Sequence, residues 1–211
     1  GSVVGKKVYG GLDLSSVNDL TALVLVDVDG GVHPTFWLPK AGLAEKGDKE
    51  HVPYPMWEKQ GFLKTTPGAA IEYEFVAEYL RGVFDTCDVQ AMGFDRALMK
   101  FLRPWLSKAG FTEAELAKFV EFGQGTLSMT PALRELEVKL LNRKLRHGNH
   151  PVMDMCAANC RVVGDSGARK FDKHKSRGRI DGMTALANAI GVMPTDAPPP
   201  PKKFQMFTLG R

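Results

Sequence analysis

Val8-Tyr9-Gly10-Gly11-Leu12-Asp13-Leu14-Ser15-Ser16, followed by Thr21-Ala22-Leu23-Val24-Leu25-Val26-Asp27-Val28, is the stretch on which the reading of this chain turns. Both segments are rich in Val and Leu, and Asp29-Gly30-Gly31 between Val28 and Val32 marks a tight hairpin, because such residues accept the positive φ of a short turn. The chain is therefore expected to open with antiparallel strands over residues 8–14 and 21–28. Period-two alternation puts Tyr9, Gly11 and Asp13 on one face of the first strand and Val8, Gly10 and Leu12 on the other. Asp13 then stands at the strand's C-terminal end.

Outward from that hairpin the pattern becomes α/β. Residues 39–68, rich in Pro, Gly and Lys with Trp57 and Phe62 at no clear period, read as a long loop excursion. Phe75, Val76, Tyr79, Leu80 and Val83 recur at helical spacing, and residues 89–94 form a short buried strand ending on Asp95. Leu98, Phe101, Leu102 and Trp105 give another helical face that Pro104 is expected to kink or end, with a strand over residues 119–122 after it. Thr130-Pro131 reads as an N-cap followed by proline at the first helical position, with Leu133, Leu136, Leu140 and Leu141 as the apolar stripe. Met183, Leu186, Ala187 and Ile190 predict a last helix over residues 180–193, with Asp181 at its N-terminus.

Composition narrows the class. A chain of 211 residues is long enough for one sizeable core and short for two, and 44% hydrophobic with 25% charged residues is ordinary globular usage. No apolar run approaches the roughly 20 residues that cross a bilayer, so no membrane partner is expected. Gly1-Ser2 reads as a remnant of a cleaved tag. Cys87, Cys156 and Cys160 are odd in number and lack a CxxC pair, which speaks against a disulfide framework; His147 and His150 precede Cys156 and Cys160 in the reverse of the usual finger order, which speaks against zinc. The formal charge of +4 permits nucleic-acid binding without demanding it. Its distribution is more telling: Arg161, Arg169, Lys170, Lys173, Lys175, Arg177 and Arg179 are opposed only by Asp165 and Asp172, and Arg134, Lys139, Arg143, Lys144 and Arg146 lie on or just after the helix from Pro131. Either run, taken alone, also reads as a solvated face.

Three aspartates stand where regular elements end or begin: Asp13 and Asp95 after strands, and Asp181 at a helix start. If the two strands are neighbours and the helix packs across them, the carboxylates converge, and hard oxygen ligands of this kind suit Mg²⁺ or Mn²⁺. Each aspartate alone reads equally as a cap or a turn residue.

Gly11-Leu12-Asp13-Leu14-Ser15-Ser16 with Asn18-Asp19-Leu20-Thr21-Ala22-Leu23, then Gly93-Phe94-Asp95-Arg96, then Arg179-Ile180-Asp181-Gly182 entering an alanine-rich helix, closely resembles the nuclease domain of large terminase subunits of HK97-like tailed phages. His147-Gly148-Asn149-His150-Pro151-Val152, with Asn159 and Lys175 after it, is also similar to that family. The resemblance covers about residues 8–193, and implies an RNase H-like fold, a central mixed β-sheet flanked by helices, over residues 3–193, with residues 194–211 as a Pro-rich tail. It implies that Asp13, Asp95 and Asp181 bind two Mg²⁺ or Mn²⁺ ions, and that metal-activated water attacks phosphodiesters of double-stranded DNA in line. Lys175 would steady a phosphate and Asn159 would orient backbone near the metals, with Asp19 and Asp165 as possible accessory ligands or plain turn residues. Arg143, Lys144, Arg169, Lys170, Lys173, Arg177 and Arg179 are the expected phosphate-binding cations.

No Gly-x-x-x-x-Gly-Lys-Ser/Thr loop is present, so the ATPase motor expected of such a protein would precede this domain. Its expected partners are the portal and the small terminase, in the host cell cytoplasm at the procapsid portal. Three rivals remain open at this point: a recombination nuclease of the Holliday-junction resolvase or integrase type, an actin-like kinase or ATPase, and a non-catalytic nucleic-acid-binding module. The actin-like rival lacks a second Gly-rich phosphate loop.

Overall fold

The computed structural model describes residues 1–15, 17–165, 167–172 and 178–195. Lys173, Lys175 and Arg177, and the Pro-rich segment from residue 196 onward, lie outside the described residues.

Three strands, β1 (Lys7–Asp13), β2 (Thr21–Asp27) and β3 (Val32–Pro39), pair antiparallel in sequence order, as the Asp29-Gly30-Gly31 turn predicts. β4 (Lys64–Thr66) runs parallel to β3 at one edge; β5 (Asp88–Phe94) runs parallel to β1, and β6 (Phe119–Glu121) parallel to β5 at the other. The sheet order is β4-β3-β2-β1-β5-β6, a mixed sheet with β1 at its centre.

Helices cover both faces, which is why β2 is buried at every position and reads as a continuous apolar run. On one face α3 (Tyr73–Thr86) and α4 (Arg96–Lys108) set Val76, Leu80, Leu102 and Leu106 against Val8, Leu12, Leu23 and Met92. On the other, α1 (Leu43–Glu50), α2 (Tyr54–Lys59), α6 (Thr126–Leu141), α7 (Pro151–Asn159) and α8 (Asp181–Val192) bring Leu43, Tyr54, Leu136, Val152, Cys156, Ala185 and Ala189 against Ala22, Val24 and Phe36. A short helix, α5 (Glu113–Leu116), opens with a capping box between Thr112 and Glu115, and β7 (Val162–Asp165) pairs with β8 (Ala168–Phe171) as a separate hairpin.

α8 lies directly on β1, and small residues allow it. A Cβ built on Gly11 would fall 1.8 Å from the Ala185 carbonyl oxygen and 2.6 Å from the Ala189 nitrogen, so the helix backbone occupies the space a side chain would need. Asn188, fully buried, donates from its side-chain amide to the Leu12 carbonyl at 3.0 Å and accepts from Gln124 at 2.8 Å. Both polar halves of a buried amide are thereby satisfied, and the helix is fixed in rotation as well as in distance.

At the far end of β2 the fully buried Asp27 gathers the turn. It accepts from the Asp29 and Gly31 backbone N–H groups at 2.9 Å each, from Lys6 at 3.0 Å, and pairs with His33 at 2.8 Å. Burial alone would raise its carboxyl, but these partners hold it well below the usual carboxylate range.

Several sequence expectations need correction. Residues 39–68 are not a featureless loop: they contain α1, α2 and β4, and bury Leu43, Tyr54 and Leu63. Helices of 8 and 6 residues are too short to display a period, and their stability comes from tertiary burial. Pro104 neither ends nor bounds α4, which continues to Lys108; the bond it cannot donate falls on the exposed Lys100, where water can replace it. α6 begins at Thr126 with Gly125 as N-cap, and Pro131 lies inside it. Thr130 uses its hydroxyl otherwise, accepting from the Arg169 nitrogen at 2.7 Å and donating to the Arg169 carbonyl at 3.2 Å, which ties α6 to β8. Leu140 and Leu141 are exposed, and the buried stripe of α6 is Met129, Ala132, Leu133 and Leu136.

Candidate active site

Alternation along β1 places Asp13 on the same face as Gly11, and one helical turn along α8 places Asp181 on the same face as Ala185. Because Gly11 meets Ala185, Asp13 must meet Asp181. The two carboxyl groups are in hydrogen-bonding contact, and burial is the main cause that pushes the Asp181 carboxyl up to about 6. The charge of Asp19 adds to the rise, while Arg179 and the hydrogen bond with Asp13 oppose it. Beneath them, Cys156 is pushed up to about 12, first by burial and then by the negative field of Asp181 and Asp13.

The pair lines an open cleft of about 820 Å³ together with Asp19, Glu50, Asn159 and Arg179. Asn159 donates from its side-chain amide to the Arg179 carbonyl at 3.1 Å, which fixes the backbone two residues before Asp181. The Arg179 side chain, 13% exposed, donates to Glu50 at 2.9 and 2.6 Å, to the Tyr54 hydroxyl at 3.0 Å, and to Asp19. Arg179 was expected among the phosphate-binding cations; its guanidinium is instead committed to carboxylates inside the cleft wall. Burial alone would raise the Glu50 carboxyl, yet the hydrogen bonds from Arg179 and Tyr54 hold it below its ordinary value.

Asp95 stands apart from the pair. It follows Phe94, whose register partner is Leu12, so its backbone lies beside Asp13 at the same end of the sheet, and it serves as the N-terminal flank of α4. Among the described residues no three acidic, histidine or cysteine side chains stand close enough to hold a metal ion as a set, so Asp95 does not complete the expected convergence in this arrangement. Asp165 lies elsewhere: its carboxylate accepts from the Gly167 and Ala168 N–H groups at 2.8 and 3.1 Å, the turn role that the Gly-Asp-Ser-Gly sequence suggested. Arg169 is paired with Glu137 at 2.8 Å, Lys170 is exposed on β8, and Arg143 and Lys144 are exposed just past α6. Glu50 and Tyr54 were missed by the sequence reading, since they come from the segment taken for a loop. Tyr54 after Pro53, followed by Trp57, was the one available hint of a buried helix there.

The chemistry of the donor set fits a divalent cation. Two half-buried carboxyl groups in contact resist full ionisation, and a cation supplies the charge that relieves this while taking the hard oxygen ligands they offer. A family model for the terminase large subunit endonuclease domain matches residues 2–195. The chain belongs to that family. It is 44% identical over 191 residues to the large terminase subunit of Enterobacteria phage HK97, an alignment covering 88% of this chain and 37% of that protein. The chain thus spans a little over a third of the curated terminase it matches. The crystal structure of the HK97 large terminase superposes with a TM-score of 0.82 at 42% identity, over 91% of this chain and 40% of that one. The large terminase nuclease of thermophilic phage G20c, solved with bound magnesium, superposes at 0.57 and 11% identity, over 89% of this chain and 82% of that one, a likeness of fold alone. Within this terminase family the fold is RNase H-like, with a central mixed sheet flanked by helices.

The raised Asp181 carboxyl has a measurable consequence. A group whose carboxyl moves from 3.8 up to about 6 on folding contributes stability that is full below the lower value and lost as pH rises through the upper one. In EDTA the melting temperature of the wild type is expected to fall relative to Asp181→Asn as pH rises from about 4 to about 7. Mn²⁺ should restore it above about pH 6, once the proton is displaced. A difference between the two proteins that stays constant across this window, with or without Mn²⁺, would reject the assignment.

Proposed function

We propose that this chain is a divalent-metal-dependent endonuclease that hydrolyses phosphodiesters of double-stranded DNA, with Asp13, Asp181 and Asp95 as its metal-binding residues. The observation that carries the reading is the half-buried contact between Asp13 and Asp181 in an open cleft, in a chain of the terminase endonuclease family. Asp95 follows Phe94, the register partner of Leu12, so its backbone stands at the same strand end as Asp13. Bound cations would supply Lewis acidity and positive charge at the scissile phosphate. The chain's own residues do the positioning. Asp13 is held by β1, Asp181 by α8 and by the Arg179 and Asn159 contacts just before it, and the open cleft admits a duplex backbone.

We further propose that in the whole protein this domain follows an ATPase motor and acts at the procapsid portal in the host cytoplasm, with the small terminase as a partner. Concatemeric DNA passing through that assembly would be the substrate.

The test is cleavage of supercoiled plasmid, linear duplex and a four-way junction with Mn²⁺, with Mg²⁺ and in EDTA, alongside calorimetric titration of Mn²⁺. Plasmid and linear duplex are expected to be cut with either metal and left intact in EDTA, with the junction not preferred. Cutting confined to the junction favours a recombination nuclease. Duplex binding with neither metal uptake nor cutting favours a non-catalytic module.

A further inference from the structure

The end of the molecule opposite the cleft carries a second concave surface, and it is cationic. A cavity of about 340 Å³ there is lined by Arg143, Lys144, Arg146, Gly30 and Met193 among others. α8 joins the two places: Asp181, its first residue, lines the cleft, and Met193, just past its last turn, lines the cationic cavity. At about 1.5 Å per residue the helix spans about 18 Å, the length of about five base pairs of duplex.

The backbone of this surface is locked. α6 closes with the Arg143 nitrogen donating to the Leu140 carbonyl at 3.0 Å and the Lys144 nitrogen to the Lys139 carbonyl at 2.8 Å, with Arg143 itself left-handed at φ 53°. Glycine is the usual residue at that position, where a Cβ is unfavourable. The chain then docks on the β2–β3 turn: the Arg146 nitrogen donates to the Gly30 carbonyl at 2.8 Å, and the Val32 nitrogen to the Arg146 carbonyl at 2.9 Å. Gly30 permits this, since a Cβ there would fall 1.8 Å from the Lys144 carbonyl oxygen.

The side chains on this platform are exposed at Arg143, Lys144 and Arg146, while Leu145 is half-buried. Arg143 and Arg146 have no ion-pair partner among the described residues. The carboxylates lining the same cavity are already countered: Asp27 by Lys6 and His33, and Asp29 by Lys6 at 3.6 Å. The helix dipole accounts for a cation in the last turn of α6, but not for an arginine at the left-handed position where glycine is favoured.

We propose that Arg143, Lys144 and Arg146 form an exosite for the phosphate backbone of duplex DNA, engaged by the same duplex whose scissile bond lies in the cleft. This deepens, and rests on, the nuclease reading. Three cations within four residues on a pinned backbone suit regularly spaced phosphates, and little chain entropy remains to be lost on binding. Contacts of this kind carry no sequence information, as a cutter of many sequences requires.

The test compares a hairpin duplex of about 4 base pairs, about 14 Å long and so too short to reach from cleft to exosite, with one of about 24, by fluorescence anisotropy in Ca²⁺ and by cleavage in Mn²⁺. Arg143→Gly relieves the left-handed strain, so it should melt about 2–4 °C higher than wild type, and any lost affinity cannot be misfolding. In the double variant Arg143→Gly/Arg146→Gln the longer duplex should bind about tenfold more weakly, with a salt dependence shallower by about 2 in log–log slope. Binding of the short duplex and kcat on either should stay unchanged. Equal losses on both lengths, or none on the longer, overturns the exosite. Normal cutting with unaltered binding by the double variant sinks the exosite and leaves the nuclease reading intact; length-dependent binding without any cutting does the reverse.

Discussion

Asp13→Asn and Asp181→Asn should each lower duplex cleavage in Mn²⁺ by a factor of about 10³ or more, while both proteins remain folded. The magnitude follows from the several kcal/mol of transition-state charge stabilisation that a correctly held cation supplies, each 1.4 kcal/mol being a factor of ten in rate. An amide keeps nearly the shape of a carboxyl group but brings no negative charge, so metal affinity falls while packing is preserved. Asp181→Asn is further expected to melt at a higher temperature than wild type in EDTA at neutral pH, because it removes a charge whose burial the fold resists. Loss of activity together with a gain in apo stability is a combination that simple misfolding cannot produce. Asp95→Asn should reduce cutting in the same direction without the gain in stability. Wild-type cleavage rates in the Asp13 or Asp181 variants would remove the pair from the mechanism. The readout is the initial rate of plasmid nicking beside a calorimetric melting scan.

Gly11→Ala should be severely damaging. Its Cβ would fall 1.8 Å from the Ala185 carbonyl oxygen and 2.6 Å from the Ala189 nitrogen, and neither is a side chain that can rotate away. To regain van der Waals distance α8 would have to lift from β1, opening the contact between Asn188 and the Leu12 carbonyl and separating Asp181 from Asp13. The expected destabilisation is about 4 kcal/mol, at the upper end for an overpacked core, or a fall of about 8–16 °C in melting temperature. Gly82→Ala, on the exposed side of α3 with nothing within 4 Å of its Cβ, is the control and should gain about 0.5–1 kcal/mol. A Gly11→Ala protein that melts and cuts like wild type would show that the approach of α8 to β1 is looser than described. A destabilised but folded variant should lose cutting even well below its melting temperature.

Local chemistry in the chain was enough for the first two strands, from their runs of Val and Leu, and for the tight turn at Asp29-Gly30-Gly31 that lets β2 and β3 pair. It was enough to place α8, since Met183, Leu186, Ala187 and Ile190 recur at helical spacing, but not to show that the helix is buried on every side from Thr184 to Ile190. Where one residue type serves two purposes, local reading went astray. Thr130 before Pro131 has the composition of a cap, yet its hydroxyl is spent on the Arg169 backbone and the helix starts four residues earlier. Proline inside α4 and α6 is tolerated because the carbonyls left without donors belong to the exposed Lys100 and Leu127. Arg179 looked like one more cation of a basic run, and only its surroundings reveal a guanidinium turned inward to Glu50 and Tyr54.

The sequence by itself determined that three aspartates end or begin regular elements, which strands open the domain, and which face of β1 carries Asp13, because alternation and capping are properties of neighbours in the chain. Only the tertiary structure decided that Asp13 and Asp181 touch while Asp95 stands aside, and that Glu50 reaches across from α1 to hold Arg179. Those distances depend on how closely one backbone approaches another, and that is set by packing between segments more than eighty residues apart.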